Sequence, residues 1–202
     1  MKFDYTQIFL LIWIVAFWIY YFSTYGKVEE KHEHSVREKY GTHAKWGPFF
    51  GSAFMGWTAV IFIYFFHYDS RAWVWRLSLP DCAAVKIAAV MILCFAFLLN
   101  ILFTISVGKS IRTAFTANQN PPLITTGVYG RIRHPAYLAF FAVAGGTFLI
   151  ISNLITLLLL VYTWVVIYGH TLEEEKKMTM IYGEAYERYR RSTGRFLPKL
   201  KI

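Results

Sequence analysis

Residues 127–137 read Gly-Val-Tyr-Gly-Arg-Ile-Arg-His-Pro-Ala-Tyr, and after two further apolar runs come Glu173, Glu174 and Glu175. Arg133 and His134 offer cationic donors, Tyr129 and Tyr137 offer aromatic faces, and the glutamates offer anions. If the intervening runs form a helical hairpin, the carboxylates return to the membrane face that holds the basic loop. Together the two clusters can grip a zwitterion. Arg, His or helix N–H groups suit its carboxylate, and glutamates suit its ammonium. Aromatic faces suit a second cationic centre, by about 0.5–2 kcal/mol per good contact.

The elements that must position these groups follow from composition. The chain has 202 residues, 56% of them hydrophobic, where soluble domains average about 45–50%. Its mean hydropathy is +0.40. Five apolar runs occupy 5–25, 46–67, 81–107, 135–151 and 153–170. A helix needs about 20 such residues to cross the hydrocarbon core. The first three runs are long enough; the last two are short, and Asn153 alone separates their cores, which predicts a tight antiparallel hairpin. The first run exceeds a signal-peptide core and lacks a small-residue cleavage site, so it is expected to remain as an anchor.

Charge orients this arrangement. Of the 21 Lys and Arg, 17 fall in 26–45, 108–134 and the tail after 171, against Lys2, Arg71 and Arg76 on the other side. Positive-inside bias then places the C-terminus and both basic loops in the cytoplasm and the N-terminus outside. The net charge of +9 thus points to anionic lipid headgroups. No nucleic-acid motif accompanies it, so no nucleic-acid partner is expected. The fold expected is all-α: an integral membrane protein of five transmembrane helices and a C-terminal amphipathic helix. Residues 1–107 form a three-span region and 108–202 the loop, hairpin and amphipathic helix, in one structural domain.

Several residues carry blander expectations. Cys82 and Cys94 read as small buried apolar residues without a disulfide framework. His32, His34 and His43 sit in a mixed-charge segment without metal-ligand spacing, and no metal is expected. Trp46, Tyr64, His67, Trp73 and Trp75 fit an interfacial belt. Gly47, Gly51 and Gly56 open one face of the second run for helix packing. Asn100 is expected to form an interhelical hydrogen bond, ahead of ligand contact. Asn118–Pro122 breaks the loop. Pro135 suits a first helical position, with His134 at or beside the N-cap, where free N–H groups favour an anion. Residues 172–190 read as an amphipathic helix, with Met178, Ile181, Tyr182, Ala185 and Tyr189 on one face, able to cover the loop before the fourth run.

An amino-acid-bearing sulfonium such as S-adenosylmethionine has the three charge centres these groups match, and methyl transfer from it depends mainly on alignment. The pattern G-x-Y-x-x-x-R-H-P-x-Y at 127–137, Glu174-Glu175, Tyr182-Gly183-x-x-Tyr186-x-x-Tyr189 and Pro198 resembles the isoprenylcysteine carboxyl methyltransferases, the phospholipid methyltransferases and their prokaryotic relatives. The resemblance covers roughly 123–198. It implies an integral-membrane methyltransferase that uses S-adenosylmethionine on the cytoplasmic side and a lipidic or apolar acceptor that enters laterally. Gly127, Tyr129, Arg133, His134, Tyr137, Glu174 and Glu175 would bind the cofactor; His170, Arg133 and Glu174 would serve catalysis.

One departure concerns His170. Carboxyl-methylating members resembling this chain place an arginine there. An imidazole cannot hold a carboxylate as a guanidinium does, but it can take a proton from a thiol or amine. The acceptor stays open among carboxylate, amine and thiol, and oligomeric state is unreadable. Thr171–Glu174 also matches a capping box, a structural role for Glu174. Arg131 reads as a positive-inside marker, while Tyr186, Tyr189 and Arg195 stay open between packing and site. Two other functions remain: an NADPH-dependent membrane reductase of related architecture, disfavoured by the short chain, and a non-catalytic subunit or transporter, disfavoured by the lack of internal repeats.

Overall fold

The structure, a computed structural model, describes residues 5–20, 47–66, 82–116 and 123–199. The histidine-bearing segment 26–45, Trp46, His67, Trp73, Trp75 and the Asn118–Pro122 break lie outside the described residues.

Six α-helices and one 3-10 turn account for nearly all of it: α1 Tyr5–Tyr20, α2 Gly47–Phe66, α3 Ala83–Thr116, the turn Gly127–Gly130, α4 Pro135–Ile150, α5 Leu154–Tyr182 and α6 Glu184–Ser192. Among the described residues there is no strand; a single parallel bridge joins Ile132 and Gly194. The all-α expectation therefore holds. Among the described residues two helices are long and apolar enough to cross a membrane, α3 over Ala83–Val107 and α5. The apolar parts of α1, α2 and α4 are shorter.

In water these helices would be poorly covered. Ile87, Met91, Phe95, Leu98, Leu102 and Ile105 are exposed along α3. They recur every three or four residues, so they form one continuous outward stripe. Ile155, Leu158, Val161 and Val165 do the same on α5. Apolar surface of this extent marks contact with lipid or with another apolar partner.

The inward faces are joined by small residues and buried polar clips. Ala89 and Leu93 of α3 pack against Gly146 of α4, where an added Cβ would lie 2.8 Å from Leu93 Cγ and 3.2 Å from the Ala89 carbonyl. Apolar burial drives little association in lipid, so such close backbone approach supplies packing instead. The Trp13 indole donates to the Leu93 carbonyl (3.2 Å), the Trp57 indole to Thr163 Oγ1 (2.9 Å) and the Gln7 amide to the Tyr64 carbonyl (3.3 Å). These bonds pin α1 and α2 to their neighbours. Gly56 meets Leu159, as expected of a packing glycine, whereas Gly51 faces open space.

Two sequence expectations fail here. Cys82 and Cys94 are exposed, not buried. The Asn100 side chain makes no interhelical hydrogen bond among the described residues, although its carbonyl accepts the Thr104 hydroxyl.

The hairpin forms as expected. Asn153 caps α5, its Oδ1 accepting from the Thr156 N–H (2.8 Å) while its own N–H donates to Thr156 Oγ1 (3.2 Å). The break expected after residue 170, however, does not exist. α5 runs through Tyr182, and Thr171 is buried in mid-helix with its hydroxyl donating to the Ile167 carbonyl. The capping box read at Thr171–Glu174 is therefore overturned, as is the single helix over 172–190. Residues 170–177 hold no glycine or proline and continue a helix readily; only their surroundings change. The real break is Gly183, whose φ of +52° costs a glycine little. At about 1.5 Å per residue, 29 residues exceed a hydrocarbon core of about 30 Å. α5 thus carries its glutamates rigidly past the apolar zone.

Candidate active site

The loop before α4 is built against α3. Gly127 has a φ of +64°, and a Cβ there would lie 2.6 Å from Ser106 Oγ. Val128 then accepts from the N–H groups of Arg131 and Ile132. Ile132 is buried with Leu99 and Ala139. This leaves Arg133 and His134 leading into α4, with Pro135 at its first position and no side chain capping its N-terminus.

The C-terminal tail is laced onto this loop. The Arg133 N–H donates to the Gly194 carbonyl (2.9 Å), the His134 N–H to the Arg195 carbonyl (3.1 Å) and the Gly194 N–H to the Arg131 carbonyl (3.3 Å). The Tyr189 hydroxyl donates to the Tyr129 carbonyl (2.8 Å); burial pushes its pKa up to about 12, which keeps it a donor. The tail from Gly183 onward is thereby fixed over the loop.

Glu175 is the hub. Its Oε1 accepts from Arg133 Nε (3.1 Å) and Nη2 (3.0 Å) and from Arg195 Nε (3.1 Å), and lies 3.2 Å from His134 Nε2. Its Oε2 accepts from Arg195 Nη2 at 2.7 Å. The residue is 5% exposed. A buried carboxylate is tolerable only when matched in this way. Arg133 is spent on the same frame, because its Nη1 also donates to the carbonyls of Arg190 and Thr193 at the end of α6.

Glu174 differs. Its side chain is 32% exposed, and its Oε2 lies 3.5 Å from His134 Nδ1. That oxygen is itself buried and accepts no hydrogen bond. The Tyr137 hydroxyl lies 2.9 Å from His170 Nδ1. His134 stands between the two carboxylates with one ring nitrogen toward each. Burial alone would lower its pKa, but the bonds and charges of Glu174 and Glu175 outweigh burial and raise it. Both nitrogens can donate only in the imidazolium form. The ring also stacks on Tyr137, centroids 5.5 Å apart.

Arg133, His134, Tyr137, His170, Glu174 and Glu175 thus converge, on one side of the helix assembly. Gly127 and Tyr129 serve the loop instead: the first allows its turn against α3, and the second sets its ring near Phe103, centroids 6.1 Å apart. Arg195 was left open by the sequence and proves integral, pairing two-pronged with Glu175 and lying 5.6 Å from the Tyr168 ring centroid. Phe196 closes on the His134 ring, 6.1 Å away. Nothing local in the sequence announces either contact, since both depend on the tail pairing with Ile132–His134.

A cation-binding and an anion-binding feature are adjacent here. Glu174 Oε2 is a buried acceptor lacking a hydrogen, and the α4 N-terminus is an uncapped row of donors beside it. An ammonium and a carboxylate on one carbon fit that juxtaposition.

The sequence compares accordingly. Over 82 residues it is 33% identical to the protein-S-isoprenylcysteine O-methyltransferase of Schizosaccharomyces pombe, which covers 40% of this chain and 35% of that protein. It is 34% identical over 77 residues to the protein of the same name from Saccharomyces cerevisiae, covering 38% and 32%. The chain therefore spans about a third of the length of the curated relatives it matches. The phospholipid methyltransferase family model matches residues 85–185, from α3 through the loop before α4 and the glutamates of α5. That is half of the sequence, and the chain belongs to the phospholipid methyltransferase family.

Proposed function

We propose that this protein is an S-adenosylmethionine-dependent methyltransferase of the membrane, acting on a small lipidic or apolar acceptor. The observation that carries the reading is the unsatisfied buried Glu174 oxygen beside the uncapped start of α4. The family match and the two methyltransferase relatives support it. Bound there, S-adenosylmethionine would supply a methyl group on a sulfonium.

Glu174 would take the ammonium, and His134 with the first turn of α4 the carboxylate. Tyr137 presents its ring at the same place. Arg133, Glu175 and Arg195 would hold these groups in register, Gly127 and Tyr129 shaping the loop beneath them. His170 would face the acceptor. In this reading all five long helices span the bilayer, the N-terminus lies outside, and the site and C-terminus face the cytoplasm. The charge distribution supports that orientation, and the shorter helices would be accommodated by local thinning of the bilayer.

Titration calorimetry of the full chain in lipid nanodiscs tests the reading. S-adenosylmethionine should bind, and Glu174→Gln and His134→Ala should each weaken binding about tenfold or more, the loss of one charged hydrogen bond of about 1.5–3 kcal/mol. Absence of binding in detergent and in lipid alike would refute it.

A further inference from the structure

Arg195 has one edge to spare. Its Nε and Nη2 bind the two oxygens of Glu175, while its Nη1 has only the Tyr168 hydroxyl, 3.5 Å away, longer than an ordinary hydrogen bond. Glu175 also accepts from Arg133, so one carboxylate faces two guanidiniums and a positive charge is left over. A protonated His134 adds none, because Glu174 lies against it. Arg133 is buried, and its Nη1 is bound to the carbonyls of Arg190 and Thr193. The surplus charge is therefore presented by Arg195, whose side chain is 29% exposed.

Beneath that edge lies an aromatic ledge. Trp164 and Tyr168 are one turn apart on α5 and stack in parallel planes, centroids 5.4 Å apart, and the guanidinium of Arg195 lies 5.6 Å from the Tyr168 ring centroid. Trp164 is exposed, and its indole N–H has no hydrogen-bond partner among the described residues. Val161, Val165 and Leu172 are exposed along the same helix, and Leu197 is exposed two residues beyond Arg195. Glu175 lies about 30 Å along α5 from Leu154, at the edge of a hydrocarbon core of about 30 Å. Aromatic rings just inside that edge, below an arginine, sit at the depth of lipid headgroups. A headgroup ammonium would be repelled by the guanidinium, whereas a phosphate matches its fork of donors.

We propose that Arg195 Nη1, the Tyr168 hydroxyl and the Trp164 indole bind the headgroup of one anionic phospholipid. Arg195 and Tyr168 donate to the phosphate oxygens, and the Trp164 N–H, one turn closer to the hydrocarbon, donates to an ester carbonyl of the same lipid. The site rests on the bilayer placement proposed above and not on methyl transfer.

Native mass spectrometry of the full chain, stripped of lipid in detergent and titrated with phosphatidylglycerol or phosphatidylcholine of the same acyl chains, tests the proposal. One phosphatidylglycerol should be retained, about fivefold more tightly than phosphatidylcholine. Arg195→Gln is a poor probe because Arg195 also holds Glu175, so two outer-surface variants carry the test. Tyr168→Phe removes only the hydroxyl and should weaken retention about tenfold, and Trp164→Leu about fivefold. Arg188→Ala, which removes an exposed cation of α6 outside the site, should leave retention unchanged. Equal retention of the two lipids, or no change in either outer-surface variant, overturns the proposal. So does an equal loss in Arg188→Ala, which would make the attraction diffuse. Inorganic phosphate at the same concentration should not displace the lipid; if it does, the ligand is a soluble phosphate and the lipid assignment falls. A chain that stays in solution without detergent overturns the bilayer placement and this site with it. None of these readouts uses S-adenosylmethionine, so a lost lipid preference leaves the methyl-transfer reading standing, and failure of S-adenosylmethionine to bind leaves the lipid result unaffected.

Discussion

The α3–α4 seam and the Glu175 knot both hold α4 in place, by opposite physics. In the seam, Ala89, Leu93 and Gly146 touch through backbone and small apolar atoms, each contact worth about 0.1–0.2 kcal/mol. In the knot, one carboxylate gathers two guanidiniums and an imidazole. The seam is a sum of many small terms, whereas the knot fails as a unit when one member goes. A site built on loops and helix ends needs that second kind of constraint, because a sliding apolar surface does not fix a side chain to within a few tenths of an ångström.

The comparison breaks most visibly at Glu175. Glu175→Ala leaves Arg133, Arg195 and His134 crowded without an anion, and losing one partner of a buried pair costs about 3–5 kcal/mol. Unfolding in mixed micelles should show a loss of that size, with S-adenosylmethionine binding abolished. Retention of both properties would show that the knot is dispensable. Gly146→Leu comes next. It forces side-chain atoms into Leu93 and the Ala89 carbonyl, and overpacking of this kind costs about 1–3 kcal/mol. Because the seam is distributed, the variant should remain folded in lipid and keep measurable cofactor affinity, where Glu175→Ala does not.

These two regions were also unequally legible in the sequence. Arg133, His134, Tyr137, Glu174 and Glu175 announce themselves by type and spacing, and their convergence follows once Asn153 turns the chain. The helix start expected at Thr171 is an error with a physical cause: the switch from apolar to charged residues marks a change of solvent, and the backbone ignores it. Cys94 reads as buried in the sequence because a membrane helix is apolar on both faces. Periodicity then separates no inside from outside, and the same ambiguity hides the seam. Arg195 was undecidable because its role depends on a parallel pairing across some sixty residues of sequence, which no local pattern encodes.

A pH series sharpens the comparison further, because only the knot titrates. His134 has its pKa raised above the ordinary 6.5. A group raised on folding stabilises fully below its unfolded pKa and loses that contribution as pH rises through the folded value. Stability and cofactor affinity should therefore be greatest below about pH 6.5 and decline as pH rises through the raised value of His134, as the ring loses the positive charge that both glutamates face. Gly146→Leu should show the same decline from a lower starting point. His134→Gln should flatten it, and a decline that persists in His134→Gln would assign the titration to another group.

The smallest effect belongs to an ion pair of the same chemistry placed in water. Arg188 and Glu184 on α6 are 3.6 Å apart and 72% and 94% exposed, so solvent screens them and their side-chain entropy opposes the contact. Arg188→Ala should shift stability by less than about 0.5 kcal/mol and leave S-adenosylmethionine affinity unchanged. If it instead costs as much as Glu175→Ala, then burial does not distinguish the two pairs. The basic tail would be held by charge wherever it falls, and α6 would be docked by its surface charges as strongly as by Tyr186 and Tyr189. Repeating the measurement at high salt separates these cases: an exposed pair weakens with ionic strength, while the enclosed carboxylate of Glu175 is screened far less.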